Sequence, residues 1–308
     1  MADVPFVDKR SSFLNLLGSI RYDFRIFAPM KQCHVCKTTL PDNARFCFNC
    51  GAAQVMANTE APEVLHLDEA LEPQILRLFF MAFRQRIIEE HAERQLDTYA
   101  VRLYESGFEE VINRRAEQTA AHIRELEPAV QQNPAYMRSL LDHTFDDLLD
   151  YFIIRYCQDI NDIRLSEAIL GYQGLHWEDI DLMKMTMDYL DFAHETETVY
   201  TDFLAMPIEK LKTAGSAFLF PQPQERIFFI CDQSLLGSLR EGFAMTERAL
   251  YWRAHLDKAR QTTFNALHSL ERKKDWLLIN GFFFNVNASV NLKVFKLLKK
   301  IKRLKQEP

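Results

Sequence analysis

Glycine is scarce in this chain, with 9 residues among 308, or about 3% against a usual ~7%. Proline adds only 11 more residues. Collagen-like, low-complexity and turn-rich all-β proteins need more of both, so the composition excludes them. Hydrophobic residues make up 48% of the chain, which excludes intrinsic disorder, and charged residues make up 26%. This combination favours long helices and two or three separate hydrophobic cores.

Long uninterrupted apolar runs are also missing. A membrane-spanning helix needs about 18 apolar residues, whereas the run at 76–83 is short and contains Arg77. The first residues lack a basic segment followed by an apolar stretch, so the sequence predicts no export signal and no transmembrane segment. We therefore expect a cytoplasmic protein. Its six cysteines are then expected to bind metal or to remain as thiols, because a reducing compartment disfavours disulfides.

Charge is distributed unevenly along the chain. Residues 1–58 carry 7 basic and 4 acidic residues, residues 59–203 carry 12 and 30, and residues 204–308 carry 18 and 9. The acidic middle repels phosphate backbones, so contact with nucleic acid is expected only from the flanks. The same asymmetry permits the basic ends to dock on the acidic middle.

The sequence predicts a multidomain α+β protein. Residues 1–30 are expected to form an N-terminal arm, unless Met30 is the true start. Residues 53–66 lack a sustained hydrophobic period and are expected to form a linker. Apolar residues at helical spacing predict an acidic all-α domain over residues 67–206, which we expect to fold without the other domains. Short β-prone runs then predict a small β-rich domain over residues 213–308, closed by a helix.

One hairpin in this last domain suggests a family. Phe243-Ala-Met-Thr-Glu-Arg-Ala-Leu-Tyr-Trp252 has two β-prone runs around a tight turn at Thr246-Glu247-Arg248. It resembles the central hairpin of a bacterial PH-like domain. The resemblance implies a small sheet or partly closed barrel with the C-terminal helix over one end.

Two pairs of cysteines near the start of the chain give the clearest chemical signal. Two residues lie within each pair, and ten residues separate the pairs. Two intervening residues let one tight turn direct both sulfurs at one ion, and two such turns supply a tetrahedral thiolate site. The predicted metal ligands are Cys33, Cys36, Cys47 and Cys50, within a module of residues 31–52.

The cysteine module resembles the short zinc-ribbon family over residues 31–55, including Arg45-Phe46 before the second pair and Gly51 after it. The resemblance implies a structural Zn2+, because four thiolates leave no position open for a catalytic water. Iron in a rubredoxin-like role is the alternative, since thiolates alone do not distinguish the two metals. Lys37 stands where the family usually has glycine, at a position that often takes a left-handed backbone, so we expect slight strain there.

The segment from Asn291 to Lys305 is a basic amphipathic helix. Three interpretations compete: a closing helix with a solvated basic face, a contact with anionic lipid or nucleic acid, and a clamp onto the acidic middle. The apolar stripe favours the first. That stripe comprises Val294, Leu297, Leu298, Ile301 and Leu304. The candidate residues for contact with an anionic partner are Lys296, Lys299, Lys300, Lys302 and Arg303.

Carboxylates and histidines cluster twice in the acidic domain. Helical spacing brings His143 near Asp146 and Asp147, and Asp191 near His194, which a metal or catalytic site between helices could use. The region contains no Glu-x-x-His pair, so solvated helix faces are the favoured interpretation. The remaining cysteines, Cys157 and Cys231, lie in apolar runs and are expected to be buried thiols.

These patterns favour a non-enzymatic, zinc-binding interaction or regulatory protein that acts through protein–protein contacts. The sequence contains no phosphate-binding glycine loop, nucleophile elbow or His-Glu-x-x-His motif. One alternative is a nucleic-acid-binding protein that uses the ribbon and the basic C-terminal helix. Another is an enzyme with a carboxylate and histidine site in the helical domain. Peripheral contact with an anionic membrane is a further partner hypothesis for the basic helix.

Overall fold

The computed structural model describes residues 30–33, 37, 39–41, 65–91 and 93–306. The chain divides into two compact units, Met1–His66 and Leu67–Pro308. It is mixed α+β, as predicted. Among the described residues, no helix combines the length and the apolar content needed to cross a membrane.

The first unit contains a short hairpin. Strand β1, Met30–Gln32, pairs antiparallel with β2, Thr39–Pro41, so that Met30 lies opposite Pro41. Cys33 follows β1 directly. Cys36, Cys47 and Cys50 lie outside the described residues.

The second unit begins with helices whose ends follow local sequence signals. The Asn133 side chain accepts hydrogen bonds from the backbone N–H groups of Ala135 and Tyr136, and Pro134 occupies the first turn. Gly107 adopts a φ of 71° between two helices. The helices are α1 (Leu71–Glu90), α2 (Leu96–Glu105), α3 (Phe108–Glu125), α4 (Pro128–Gln131), α5 (Pro134–Tyr156) and α6 (Leu182–Leu190).

Aromatic side chains form the core between these helices. The rings of Phe79 on α1 and Phe145 on α5 meet edge to face, with centroids 5.7 Å apart. The Phe152 ring of α5 stacks on that of Phe108 at 5.1 Å and lies 6.1 Å from that of Phe83. All five side chains are buried. Apolar residues at helical spacing therefore meet at one seam, along which α1 and α5 lie side by side.

Two antiparallel sheets follow the helices. The larger has the order β3-β4-β5-β6-β7 and the smaller the order β10-β9-β8. The predicted turn at Glu247-Arg248 joins β5 to β6. The strands are β3 (Thr198–Tyr200), β4 (Ile227–Asp232), β5 (Gly242–Thr246), β6 (Ala249–Arg253), β7 (Arg260–Thr263), β8 (Leu270–Lys273), β9 (Trp276–Ile279) and β10 (Phe282–Phe284).

Gly242 allows β4 and β5 to pair closely. A Cβ at this position would lie 2.1 Å from the carbonyl oxygen of Cys231, and the glycine φ is 153°. Both the distance and the backbone conformation require glycine. Helix α7, Ile208–Ala217, packs on the same sheet, with Ala214 buried in a cluster with Ile230 and Leu239.

The last helix, α8 (Ala288–Gln306), is buried around most of its circumference. Its apolar stripe is 0–2% exposed, and α8 contacts β8, β9 and α6. The predicted helical and β-rich domains therefore both lie within the Leu67–Pro308 unit. The segment Thr198–Tyr200, which the sequence assigned to the helical domain, instead forms β3 and pairs with β4.

Candidate functional site

Of the segment with paired cysteines, the structure describes Cys33 and Lys37. The N–H of Lys37 donates a hydrogen bond to the carbonyl oxygen of Cys33 (2.9 Å), and Lys37 takes the expected left-handed backbone with a φ of 60°. The Cys33 side chain is fully buried. A backbone hydrogen bond from Lys37 back to Cys33 is compatible with a thiolate ligand at Cys33. Within the described residues no group of three metal ligands occurs, and of the four predicted ligands only Cys33 is among them.

A second candidate site is a cluster of buried charges where α8 meets α1 and α5. Arg86 on α1 is 4% exposed, and its guanidinium donates to Asp146 and, at 2.7 Å, to Asp150. A third carboxylate, Glu90, lies one helical turn further along α1, with its oxygen 3.1 Å from the same guanidinium. One cation of the helical core thus faces three carboxylates.

Helix α8 supplies the other cations of this cluster. The Lys296 ammonium lies 3.0 Å from Glu90 and 2.7 Å from Asp150, and its side chain is 3% exposed. The Lys299 ammonium lies 3.1 Å from Asp146. Arg303 closes the cluster by donating to Asp147 at 2.9 Å and to Asp146 at 3.4 Å. These eight residues are called the ionic network below: Arg86, Glu90, Asp146, Asp147, Asp150, Lys296, Lys299 and Arg303.

Helical spacing explains how the network assembles. Arg86 and Glu90 are four residues apart, as are Asp146 and Asp150, so each pair projects from one face of its helix. The cations of α8 recur at spacings of three and four residues and lie on one face. The apolar stripe occupies another face of α8, so one helix contacts both the carboxylates and the sheets.

Charge pairing within the network favours the ionised forms of Arg86, Glu90, Asp146 and Asp150. Burial alone would raise the pKa of Glu90, but Arg86 and Lys296 hold that pKa below its ordinary value. Burial likewise opposes ionisation of Asp146 and Asp150, yet the neighbouring cations, Arg86 among them, lower the pKa of both carboxyls. Burial would lower the pKa of Arg86, but the three carboxylates raise it well above its usual value. Charge pairing therefore outweighs desolvation at each of these groups.

A small cavity lies inside the network. It has a volume of about 20 Å³, enough for a single water molecule and too small for an organic substrate. Glu90 Oε1 and Arg303 Nε line this region, and neither has a hydrogen-bond partner within the part of the chain that the structure describes. The cluster thus has the composition of a buried structural network that can accommodate water.

The structure gives the predicted anionic-contact residues of α8 partners within the chain. Lys296, Lys299 and Arg303 belong to the ionic network. Lys300 is 7% exposed and lines the cavity, and Lys302 donates to the His268 carbonyl at 2.7 Å. The expectation of a solvated basic face is therefore wrong for Lys296 and Arg303, because these two side chains lie against carboxylates of the acidic helices. Two of the three interpretations therefore apply to α8. Its basic face is clamped onto the acidic helices, and its apolar stripe closes the β-rich region.

The two carboxylate clusters have different surroundings. Asp146 and Asp150 are 18% exposed and paired, so the expectation of a solvated helix face is wrong for them. His194 stays 47% exposed beside Asp191, with 2.9 Å between ring nitrogen and carboxylate. Close by in sequence, Glu195 forms a buried pair with Lys293.

Sequence reasoning missed Arg86, Glu90 and Lys293. Arg86 and Glu90 lie beside an apolar run, where the local sequence does not distinguish them from ordinary surface charges. The available signal was their spacing: Arg86 and Glu90 lie on the helix face of the buried Phe79 and Phe83, and Lys293 repeats with Lys296 after three residues.

Outside the network, burial shifts the pKa values of two cysteine thiols and one histidine towards the neutral form. Burial raises the pKa of the Cys157 thiol to about 12 and also raises that of Cys231, so both are protonated at neutral pH, consistent with buried thiols. Burial lowers the pKa of His91 to about 4. The Tyr99 hydroxyl lies 3.0 Å from His91 Nδ1 and donates to Asn161.

No protein-family model, curated protein or solved structure matches this chain. The zinc-ribbon and PH-like resemblances therefore rest on sequence patterns alone.

Proposed function

We propose that this protein is a zinc-binding interaction or regulatory protein that acts through contacts with other proteins. The observation that carries the proposal is the β1–β2 hairpin with the buried Cys33 and the left-handed Lys37. This backbone turn is typical of a cysteine pair that binds a metal. The sequence places a second pair of the same spacing at Cys47 and Cys50.

Four residues would hold the metal. Cys33, Cys36, Cys47 and Cys50 would bind as thiolates, and a bound Zn2+ would contribute folding energy to a module too small for a core of its own. Iron remains the alternative metal for the same ligands.

The surroundings of α8 favour protein contact over nucleic-acid contact. The nucleic-acid hypothesis needs the basic α8 face on the surface, and Lys296, Lys299 and Arg303 instead neutralise carboxylates of the same chain. The same ion pairs occupy Asp146 and Asp150, which the enzyme hypothesis would need for catalysis. A five-stranded and a three-stranded antiparallel sheet followed by a terminal helix are typical of a PH-like domain, a topology compatible with a docking platform.

Elemental analysis of protein purified without added metal tests the metal site. We expect about one zinc per chain in the parent and loss of that zinc in Cys36→Ser. Cys157→Ser is the matched control, because it removes a buried thiol outside the motif and should keep the zinc. Metal-free parent protein, or a Cys33–Cys36 disulfide under reducing purification, would contradict the proposal, and stoichiometric iron would select the alternative metal.

Affinity capture tests the protein-contact part. The parent and Cys36→Ser are compared for captured proteins, and binding to DNA and RNA is measured for both at several salt concentrations. Protein partners that depend on the intact cysteine motif support the proposal. Salt-sensitive nucleic-acid binding that is lost in Cys36→Ser would replace it with the nucleic-acid hypothesis.

A further inference from the structure

Large apolar side chains with the greatest exposure are concentrated in one part of the β-rich region. Among the described residues, five such side chains are more than 60% exposed. Exposed apolar surface is unfavourable in water. A concentration of exposed apolar side chains therefore marks a contact surface. The five are Leu204 (100%), Ile208 (65%), Leu235 (90%), Leu236 (95%) and Leu256 (89%).

Two of the segments that carry these residues leave the larger sheet at the same end. Asp232 at the end of β4 pairs with Gly242 at the start of β5, and Gly242 pairs with Arg253 at the end of β6. The loops at 233–241 and 254–259 therefore project side by side, and His255 bonds Glu241 between them at 2.9 Å. We call residues 202–212, 233–241 and 254–259 the leucine end.

The first turn of α7 joins the same end of the sheet. The Lys210 ammonium donates to the Tyr200 hydroxyl at 2.5 Å and lies beside Gly237 of the β4–β5 loop. Ile208 is therefore presented from a helix that is anchored against this loop. The Asp202 carboxylate accepts from the Leu204 N–H at 3.0 Å, which fixes the turn before α7.

The β4–β5 loop holds its leucines outward through its own hydrogen bonds. The Asp232 carboxylate accepts from the Ser234 N–H at 2.9 Å, and the Ser234 hydroxyl accepts from the N–H groups of Ser238 and Leu239. Leu239 is buried beneath the loop, whereas Leu235 and Leu236 project from it. An ordered loop lowers the entropic cost of binding a partner.

Charge around the leucine end identifies the kind of partner. The three segments contain four basic and four acidic residues, so their net charge is zero, whereas the whole chain carries −6. An anionic membrane would require a basic excess, and a strongly charged partner would require an excess of the opposite sign. A balanced rim of both signs suits contact with an identical surface. The rim residues are Lys210, Lys212, Arg240 and Lys258, with Asp202, Glu209, Glu241 and Asp257.

We propose that the leucine end is a homodimer interface, in which the exposed leucines of one copy pack on those of a second copy of this chain. A two-fold axis places the same patch on both sides, which is the commonest form of association between identical chains. This inference does not depend on the zinc site or on the proposed function.

Sedimentation equilibrium of the full chain over a wide concentration range tests the interface. We expect a reversible monomer–dimer equilibrium whose Kd rises by at least about 100-fold in Leu235→Ser/Leu236→Ser, since two apolar contacts are lost on each copy. Met81→Ser/Val111→Ser is the matched control, because it removes exposed apolar side chains from α1 and α3 and should leave the Kd unchanged. Circular dichroism and thermal melting verify that both variants are folded.

The rim provides a second test that needs no apolar substitution. Lys258→Glu gives each leucine end a net charge of −2, so the copies repel and the Kd should rise about 3- to 10-fold at low salt and recover at high salt. A parent that is monomeric at every concentration overturns the proposal, as does a dimer that is insensitive to the leucine variants. Monomers that float with phosphatidylcholine vesicles through these leucines would also overturn it, since the occupant would then be a lipid surface.

Discussion

Lys296→Met tests the ionic network most directly. The substitution removes one cation from a site in which Lys296 contacts both Glu90 and Asp150, while methionine keeps the length of the side chain and suits a helix. Arg86 then remains as the cation paired with Glu90 and Asp150, while Asp146 keeps its contacts with Arg86, Lys299 and Arg303. Breaking a buried ion pair in this way costs about 3–5 kcal/mol, because an uncompensated charge is left in the core. Total stability is about 5–15 kcal/mol for a typical domain, so the loss is large.

Urea unfolding followed by tryptophan fluorescence measures this loss, since the three tryptophans report on the Leu67–Pro308 unit. Lys274→Met is the matched control, because the Lys274 side chain is 90% exposed and its loss should change stability by less than about 0.5 kcal/mol. Adding Asp150→Asn to Lys296→Met should recover part of the lost stability, because it removes one of the unpaired charges. If Lys296→Met stays within about 1 kcal/mol of the parent, the network does not stabilise the docking of α8.

Two further predictions follow from the same surroundings. The lowered pKa values of Glu90, Asp146 and Asp150 mean that their stabilisation is complete above their ordinary pKa values of 3.8–4.5 and is lost as the pH falls further. His91, whose pKa falls from 6.5 to about 4, adds stability that is complete above pH 6.5 and declines towards pH 4. Chemical unfolding across pH 3–8 should therefore show declining stability below pH 6.5, and a flat profile would contradict both assignments. The fragment 67–206, expected from sequence to fold alone, should instead be insoluble, or unfolded by circular dichroism, because it lacks the cations of α8 and strand β4, which pairs with β3. A soluble, cooperatively melting fragment would refute this.

The ionic network gives the uneven charge of the chain a structural explanation. The acidic middle and the basic C-terminal region meet at α8, whose apolar stripe simultaneously packs against the sheets. Replacing a buried ion pair with apolar residues is often neutral for stability, whereas removing one partner is costly. The network therefore specifies which face of α8 meets the helices, as well as contributing to stability.

Local features of this protein were determined by the sequence alone. The start of α5 at Asn133-Pro134, the turn at Glu247-Arg248 and the left-handed Lys37 each depend on a few neighbouring residues. The amphipathic character of α8 is also local, because helical spacing separates its apolar and basic faces. Short-range sterics and hydrogen bonding decide such features, so a sequence pattern contains the information needed to predict them.

Only the tertiary structure decided what the basic face of α8 contacts. Lys296 lies 206 residues from Glu90 and 146 from Asp150 along the chain, and no local pattern distinguishes a solvated lysine from one that pairs across such separations. The same limit applies to the leucine end, where Leu239 is buried and Leu236, three residues earlier, is exposed. Burial depends on which distant elements the fold brings together, and hydrophobicity at one position does not report it.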